Sequence, residues 1–357
     1  MVIKIVKAKT LIITAFITLA ALTGGVITIT RPWQGDECGD FNIADVHYDV
    51  PAAVSGEYIK WVDFTPTYAV LKKTLELDVN SHTSGGGVKL DWIELLAYLG
   101  AKYGGDFSSY RERDLTALAK KLSDGQSIEE LTTGMKYYNY YHEAYTAVLA
   151  EFVGSYRVEI PLEDGTTEWR ERYGLKVFSP VAKGYYYSDY DDFGAGRSYG
   201  YRRRHLGHDL MGGVGTPIIA IESGVVEELG WNQYGGWRIG IRSYDTKRYY
   251  YYAHLRKNRP YHESIKPGEP VKAGDVIGYM GRTGYSVKEN VNNINETHLH
   301  LGLQLIFDES QKEGNNEIWI DVYPITKLLL SNKSAVAKDE NKEYNRLYGF
   351  EELKYEE

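Results

Sequence analysis

Two short segments, far apart in the chain, contain the residue types that bind metal ions. The first runs from His205 to Asp209, and the second contains His298 and His300. Zinc takes neutral imidazole nitrogen and carboxylate oxygen as ligands at about 2.0–2.2 Å, and a catalytic zinc keeps three protein ligands with a fourth position open. The two segments together therefore predict one zinc site.

The geometry of each segment limits how it can contribute to that site. In a flat strand the Cα atoms of His205 and Asp209 would lie roughly 13 Å apart, too far to share one ion. The segment must therefore bend, and Gly207 permits a bend. His298 and His300 are two residues apart, so on a strand both side chains point the same way. A third segment, residues 250–255, is β-prone and contains His254.

These segments occur within a series of motifs that resembles the lysostaphin-type zinc endopeptidases of bacterial cell walls. The resemblance covers about residues 170–330. Six motifs follow one another in the family's order: His205 to Asp209, Gly215-Thr216-Pro217-Ile218, Tyr252-Ala253-His254-Leu255, Lys272 to Gly278, Gly281-Arg282-Thr283-Gly284 and His298-Leu299-His300.

The resemblance implies a role for each site residue. It makes His205, Asp209 and His300 the ligands of Zn²⁺, and it makes His254 and His298 the catalytic pair beside the metal. It also implies a substrate, namely the stem or cross-bridge peptides of peptidoglycan. His208 is adjacent to Asp209 but occupies a variable position of the motif, so a surface role or a contact to a ligand is favoured over ligation.

Composition restricts the classes of function. The chain has 357 residues, of which 43% are hydrophobic and 25% charged, as in ordinary globular proteins. A net charge of −8 argues against nucleic acid as a general partner. Cys38 is the only cysteine, so an internal disulfide is excluded. Tyrosine is abundant, and the tyrosines of residues 185–190 and 199–201 are interpreted as sheet-face aromatics or as the wall of a peptide groove.

The N-terminal residues predict a location at the cell membrane. Residues 10–30 are uncharged and would span about 31 Å as a helix, long enough to cross a bilayer. Lysines within residues 1–9 favour a cytoplasmic N-terminus, with the C-terminal domains outside the cell. Secretion after cleavage of a signal peptide is the alternative.

The remaining sequence predicts an α+β protein. Residues 31–64 are typical of a linker, and residues 65–155 carry stripes and caps that predict a bundle of four helices. Residues 156–330 contain short β-prone runs separated by glycine and proline, which predict an antiparallel β-sheet peptidase domain. Residues 331–357 are rich in charge and are expected to form a partly helical or mobile tail.

Taken together, these features predict a membrane-anchored zinc endopeptidase that hydrolyses peptide bonds of peptidoglycan. The alternative is a non-catalytic wall-binding or assembly scaffold with the same fold. The helical domain is expected to bind a regulatory or assembly partner, or, like the segment of residues 185–204, to cover the groove until it is displaced.

Overall fold

The helices lie mainly in the first part of the described chain. A computed structural model describes residues 59–198, 202–312 and 316–353, all within one compact unit. The α-helices of these residues are α1 (Tyr68–Thr83), α2 (Trp92–Tyr103), α3 (Glu112–Ser123), α4 (Ile128–Thr132), α5 (Tyr138–Leu149) and α6 (Tyr323–Leu329).

Local sequence signals set the ends of these helices. The Asp91 carboxylate accepts hydrogen bonds from two backbone N–H groups at the start of α2, and Gly104 ends that helix in the left-handed conformation with φ of +61°. Ser127 and Glu130 form a capping box at the start of α4. The prediction of four helices in residues 65–155 is wrong, because the chain leaves the helix at Thr133 and Gly134 (φ +82°) and begins a fifth helix, α5, at Tyr138.

The strands follow in a continuous series. They are β1 (Val153–Pro161), β2 (Thr167–Leu175), β3 (Ser188–Asp189), β4 (Gly196–Ser198), β5 (Arg202–Arg204), β6 (His208–Met211), β7 (Pro217–Ile219), β8 (Gly224–Asn232), β9 (Gly236–Ser243), β10 (Arg248–Ala253), β11 (Pro270–Val271), β12 (Val276–Tyr279), β13 (His298–Leu305), β14 (Ile318–Trp319), β15 (Val336–Lys338), β16 (Tyr344–Arg346) and β17 (Phe350–Glu352).

Eight of these strands form one antiparallel sheet. Its strand order is β11-β8-β9-β10-β13-β6-β3, and β14 pairs with β13 beside this path. Strand β13 therefore lies between β10 and β6, and both of its neighbours run antiparallel to it. A helical region together with an antiparallel sheet agrees with the predicted α+β content. The domain boundaries at residues 65, 156 and 331 stay predictions.

The helical region and the sheet are joined by packing and by a buried side chain. Buried apolar residues of the helices and of the sheet belong to one hydrophobic cluster, which includes Leu95, Tyr145 and Leu303. Arg248, at the start of β10, donates a hydrogen bond of 2.9 Å to the carbonyl oxygen of Ala147 in α5. These contacts make a single packed unit of the two regions.

The prediction of a membrane location is corrected. No helix among residues 59–198, 202–312 and 316–353 is long and apolar enough to cross a bilayer. The segment on which the prediction rested, residues 10–30, lies outside the described residues, as do the predicted cytoplasmic residues 1–9.

The predicted helical or mobile tail is also corrected. Residues 336–352 form the strands β15, β16 and β17, and no helix occurs in the described part of this segment. Strand β17 pairs with β1, and Phe350 is buried between the rings of Tyr156 and Phe178. Charge in this segment misled the prediction because the apolar residues that anchor it are few and widely spaced.

Candidate metal centre

Three predicted ligands meet where β6 pairs with β13. Asp209 on β6 and His300 on β13 are direct cross-strand partners, and His205 lies just before β6. Among the described residues, these three form the one group of histidine, cysteine or acidic side chains whose ligand atoms converge, all within 4.8 Å of one another. The chain bends at Gly207, as the sequence required.

The distances between the three donor atoms fit a zinc ion. His205 Nε2 lies 3.1 Å from Asp209 Oδ1 and 3.1 Å from His300 Nδ1, and His300 Nδ1 lies 2.9 Å from Asp209 Oδ1. Ligands at about 2.1 Å in a tetrahedral site are separated by about 3.4 Å. The three atoms therefore form one slightly contracted face of such a tetrahedron.

Gly207 brings the backbone against one of these rings. A Cβ at this position would lie 2.6 Å from Cε1 and Nε2 of His300 and 2.7 Å from the carbonyl oxygen of Leu301. The φ of Gly207 is not positive, so a left-handed turn does not explain the glycine. It is required because the backbone lies too close to His300 and Leu301 for a side chain to fit.

Residues around the donors hold them in position. Asp192 Oδ1 lies 2.9 Å from His205 Nδ1, so Nδ1 donates to the carboxylate and Nε2 presents its lone pair to the ion position. Asp209 Oδ2 accepts a hydrogen bond of 3.2 Å from Arg197 Nη2, while Oδ1 faces the two histidines. Although burial opposes ionisation, the close contacts with His205 and His300 hold the pKa of Asp209 well below its usual range.

His254 and His298 lie beside the donor set with their rings 4.7 Å apart. His254 Nδ1 is 2.9 Å from the carbonyl oxygen of Thr283, and His298 Nδ1 is 3.0 Å from that of Glu296. A carbonyl oxygen only accepts, so each Nδ1 carries the hydrogen and each Nε2 is left as an acceptor. Burial, reinforced by His298 and His300, lowers the pKa of His254, which keeps it neutral.

All five residues border one cavity of about 220 Å³. The other side chains in its wall, with Gly235, are Arg197, Arg203, Tyr234, Tyr251 and Tyr285. None of the wall residues comes from the helical region, so among the described residues that region does not cover the cleft, contrary to one of the expectations above. The segment of residues 185–204 does contribute to the wall, through Arg197 and Arg203.

His208, Tyr185 and Tyr187 do not line the cleft. His208 points away from the donors and pairs with Asp189 at 3.0 Å, which agrees with the prediction that it is not a ligand. Tyr185 bonds Tyr344 and Tyr187 is buried, so neither lines the cleft, and residues 199–201 lie outside the described chain.

Sequence reasoning missed Asp192, Arg203 and Tyr285. No motif includes these residues, because Asp192 lies between β3 and β4, Arg203 lies on β5 and Tyr285 lies in the loop before β13, and only folding brings them to the site. The acidic pair Asp191-Asp192, thirteen residues before His205, was the one available sign.

The sequence of this chain is similar to those of known peptidases. Residues 203–313 match the model described as Peptidase family M23. The chain is 32% identical to the L-Ala–D-Glu endopeptidase of Bacillus subtilis over 57% of its own length and 56% of that protein. It is 41% identical to the Peptidoglycan DD-endopeptidase ShyC of Vibrio cholerae over 23% of its length and 18% of that protein.

Similarity extends to a solved structure. The catalytic domain of lysostaphin, an antimicrobial peptidase from Staphylococcus simulans, is 32% identical, with a TM-score of 0.31, over 40% of this chain and 92% of that domain. The chain thus spans about half the length, or less, of the curated relatives described here. Zinc is the metal used by the matching family, and it fits the donor set of His205, Asp209 and His300.

Proposed function

We propose that this chain, whose residues 203–313 form a peptidase family M23 domain, hydrolyses peptide bonds of bacterial peptidoglycan with the help of a zinc ion. The observation that carries the proposal is the convergence of three donor atoms within 2.9–3.1 Å of each other, beside the imidazoles of His254 and His298 in one cleft. The relatives named above are endopeptidases, and the name of one of them specifies peptidoglycan.

The proposed ligands are His205 through Nε2, Asp209 through Oδ1 and His300 through Nδ1. All three donor residues line the cavity, where a substrate carbonyl and a water molecule could reach them. A zinc ion held there supplies Lewis-acid chemistry, polarising the carbonyl and lowering the pKa of the attacking water.

His254 and His298 are proposed to move the protons. Each ring has its Nδ1 hydrogen committed to a backbone carbonyl, so its Nε2 can accept a proton from the attacking water. Once protonated, the same nitrogen can donate a hydrogen bond to the tetrahedral oxyanion and then pass the proton to the leaving amine. The two rings, 4.7 Å apart, are close enough to act on one reacting centre.

The test measures zinc content and the release of new amino termini from purified peptidoglycan by the full chain. Wild type is expected to carry about one zinc and to release peptides. His300→Ala should lose both zinc and activity, because it removes a ligand. His298→Ala should keep zinc and lose about a hundredfold or more in rate, because it removes only a proton-transfer group.

His142→Ala is the matched control, since His142 lies on α5, outside the cleft, and should keep both zinc and activity. Absence of zinc from the wild type would defeat the proposal. Zinc binding without release from any wall preparation would instead favour a wall-binding scaffold.

A further inference from the structure

The hairpin of β4 and β5 places arginines beside the cleft of a protein whose net charge is −8. Arg197 on β4 and Arg203 on β5 are direct cross-strand partners, and both line the cavity that contains the donor set. Like charges directly opposite each other in a sheet are unfavourable unless other groups compensate them. Arg197 and Arg203 differ in whether a carboxylate compensates their charge.

Arg197 is neutralised within the protein, whereas Arg203 is not. Arg197 forms ion pairs with Asp192 and with Asp209. Among the described residues, no carboxylate pairs with Arg203. Its Nη2 donates to the hydroxyl of Tyr285, and its Nε is buried without a hydrogen-bond partner. A guanidinium has five N–H donors in a planar fork that matches a carboxylate, so Arg203 has donors to spare for an anion.

Tyr285 fixes the position of this cation relative to the proposed catalytic residues. The guanidinium carbon of Arg203 lies 5.3 Å from the centroid of the Tyr285 ring, and that ring lies 5.9 Å from the ring of His254. The guanidinium is therefore at most about 11 Å from His254. An extended peptide advances about 3.3–3.6 Å per residue, so this distance corresponds to about three residues of substrate.

We propose that Arg203 binds a free carboxylate of the substrate peptide, located within about three residues of the cleaved bond. The inference rests on the proposed function and adds a substrate class to it: anionic peptides, in preference to the same peptides with that carboxylate amidated. Exposed Arg202 and Arg204, which do not line the cavity of the donor set, are not part of this site.

The test compares two synthetic stem peptides that differ only in having a free carboxylate or a carboxamide near the cleaved bond. Wild type should cleave the carboxylate peptide with a kcat/KM about tenfold or more above that of the carboxamide, because a charge-assisted, bidentate contact is lost on amidation. Arg203→Gln should bring this ratio to about one, mainly by lowering the kcat/KM of the carboxylate peptide. Arg203→Lys should keep part of the preference, since it retains the charge but not the fork.

Arg204→Gln is the matched control, because it removes the same charge from the next residue of the same strand, whose side chain points to the opposite face. An unchanged ratio in Arg203→Gln would overturn the proposal. So would an equal loss on both peptides, which would indicate that Arg203 only supports Tyr285. Equal changes in Arg203→Gln and Arg204→Gln would overturn it as well, since they would indicate general attraction of a polyanion.

Failure of the proposed function gives a different result. In that case wild type cuts neither peptide and releases nothing from peptidoglycan. Dissociation constants of the two peptides, measured on chelator-treated protein that cannot turn them over, then decide the question. Tighter binding of the carboxylate peptide that disappears in Arg203→Gln supports the role of Arg203, and equal binding of both peptides refutes it.

Discussion

The two ends of strand β10 both hold buried ionisable groups, and they use them differently. At the N-terminal end of β10, Arg248 is fully buried and donates two hydrogen bonds of 2.8 Å to Glu222. Glu222 also accepts a hydrogen bond from Tyr250. The third contact of Arg248 is with the Ala147 carbonyl of the helical region. Every charged group at this end has its partner within the protein.

The C-terminal end of β10 leads into the cleft. His254 directly follows β10, with φ of +63°. Near it, the donor atoms of His205, Asp209 and His300 face one another, and no positively charged side chain lies between them. The comparison teaches that burial of charge alone does not mark a functional site. Polar groups that are fully compensated inside the protein hold the structure together, and those whose free atoms converge on a cavity are available to a ligand.

The largest effect on stability is expected at the N-terminal end of β10. Glu222→Gln removes the carboxylate beside buried Arg248 and leaves Asp245, at 2.9 Å, as its remaining acidic partner. We expect a loss of about 3 kcal/mol in the free energy of unfolding, measured in urea, with zinc binding by the folded protein unchanged.

Glu351→Gln is the control for this change, because it breaks the half-exposed pair with Arg157 and should cost less than about 1 kcal/mol. Similar losses in both variants would show that burial of the Arg248 pair does not matter.

A smaller effect on stability, but a specific effect on metal binding, is expected for Gly207→Ala. The new methyl group would collide with the ring of His300 and with the backbone of Leu301, so it displaces a proposed ligand at a cost of about 1–3 kcal/mol. Zinc affinity, measured by competition with a chromophoric chelator, should fall about tenfold or more. Gly213→Ala tests the same substitution nearby where the nearest atom is 3.8 Å away, and it should bind zinc normally.

Asp192→Asn weakens the support of His205 without removing a ligand. Loss of such a carboxylate contact typically lowers metal affinity by about ten- to a hundredfold. The same competition assay should therefore show weaker zinc binding, while the thermal stability of the metal-free protein changes little. Asp191→Asn, at the exposed neighbouring position, should have no effect. Normal zinc affinity in Asp192→Asn would mean that the hydrogen bond to His205 Nδ1 is dispensable.

The smallest effect is expected at Glu94, a half-buried acid that forms no ion pair with any described residue. Burial, with the charges of Asp91 and Glu129, raises the pKa of Glu94 to about 7. Between pH about 4.5 and 7 the unfolded chain loses this proton while the folded chain retains it, so this group makes stability fall as pH rises.

The melting temperature of Glu94→Gln should therefore exceed that of wild type at pH 8, and the difference should shrink toward pH 5. Peptidoglycan cleavage should not change. A difference that is constant with pH would contradict the raised pKa, and a loss of cleavage would assign a second function to the helical region.

The sequence predicted which residues meet at one cavity better than it predicted the structure of residues 331–357. His-x-His on a strand requires both rings to face one way, and a five-residue segment ending in Asp209 must bend to return to the same ion. These are local constraints of strand geometry, and the structure brings all five predicted residues to one cavity. By contrast, charged residues 331–357 and the segment after Ser127 lack a strong period, and their structure depends on packing with distant residues.

What the sequence determined by itself was therefore the set of donors, their order and the antiparallel strands that carry them. Only the tertiary structure decided which atoms of those residues face the ion position and which residues hold them there. Asp192 contacts His205, Arg203 and Tyr285 contact each other in the cleft wall, and Arg248 joins the sheet to the helical region across about a hundred residues of sequence. Such contacts have no period or spacing along the chain, because they exist only after the strands have paired.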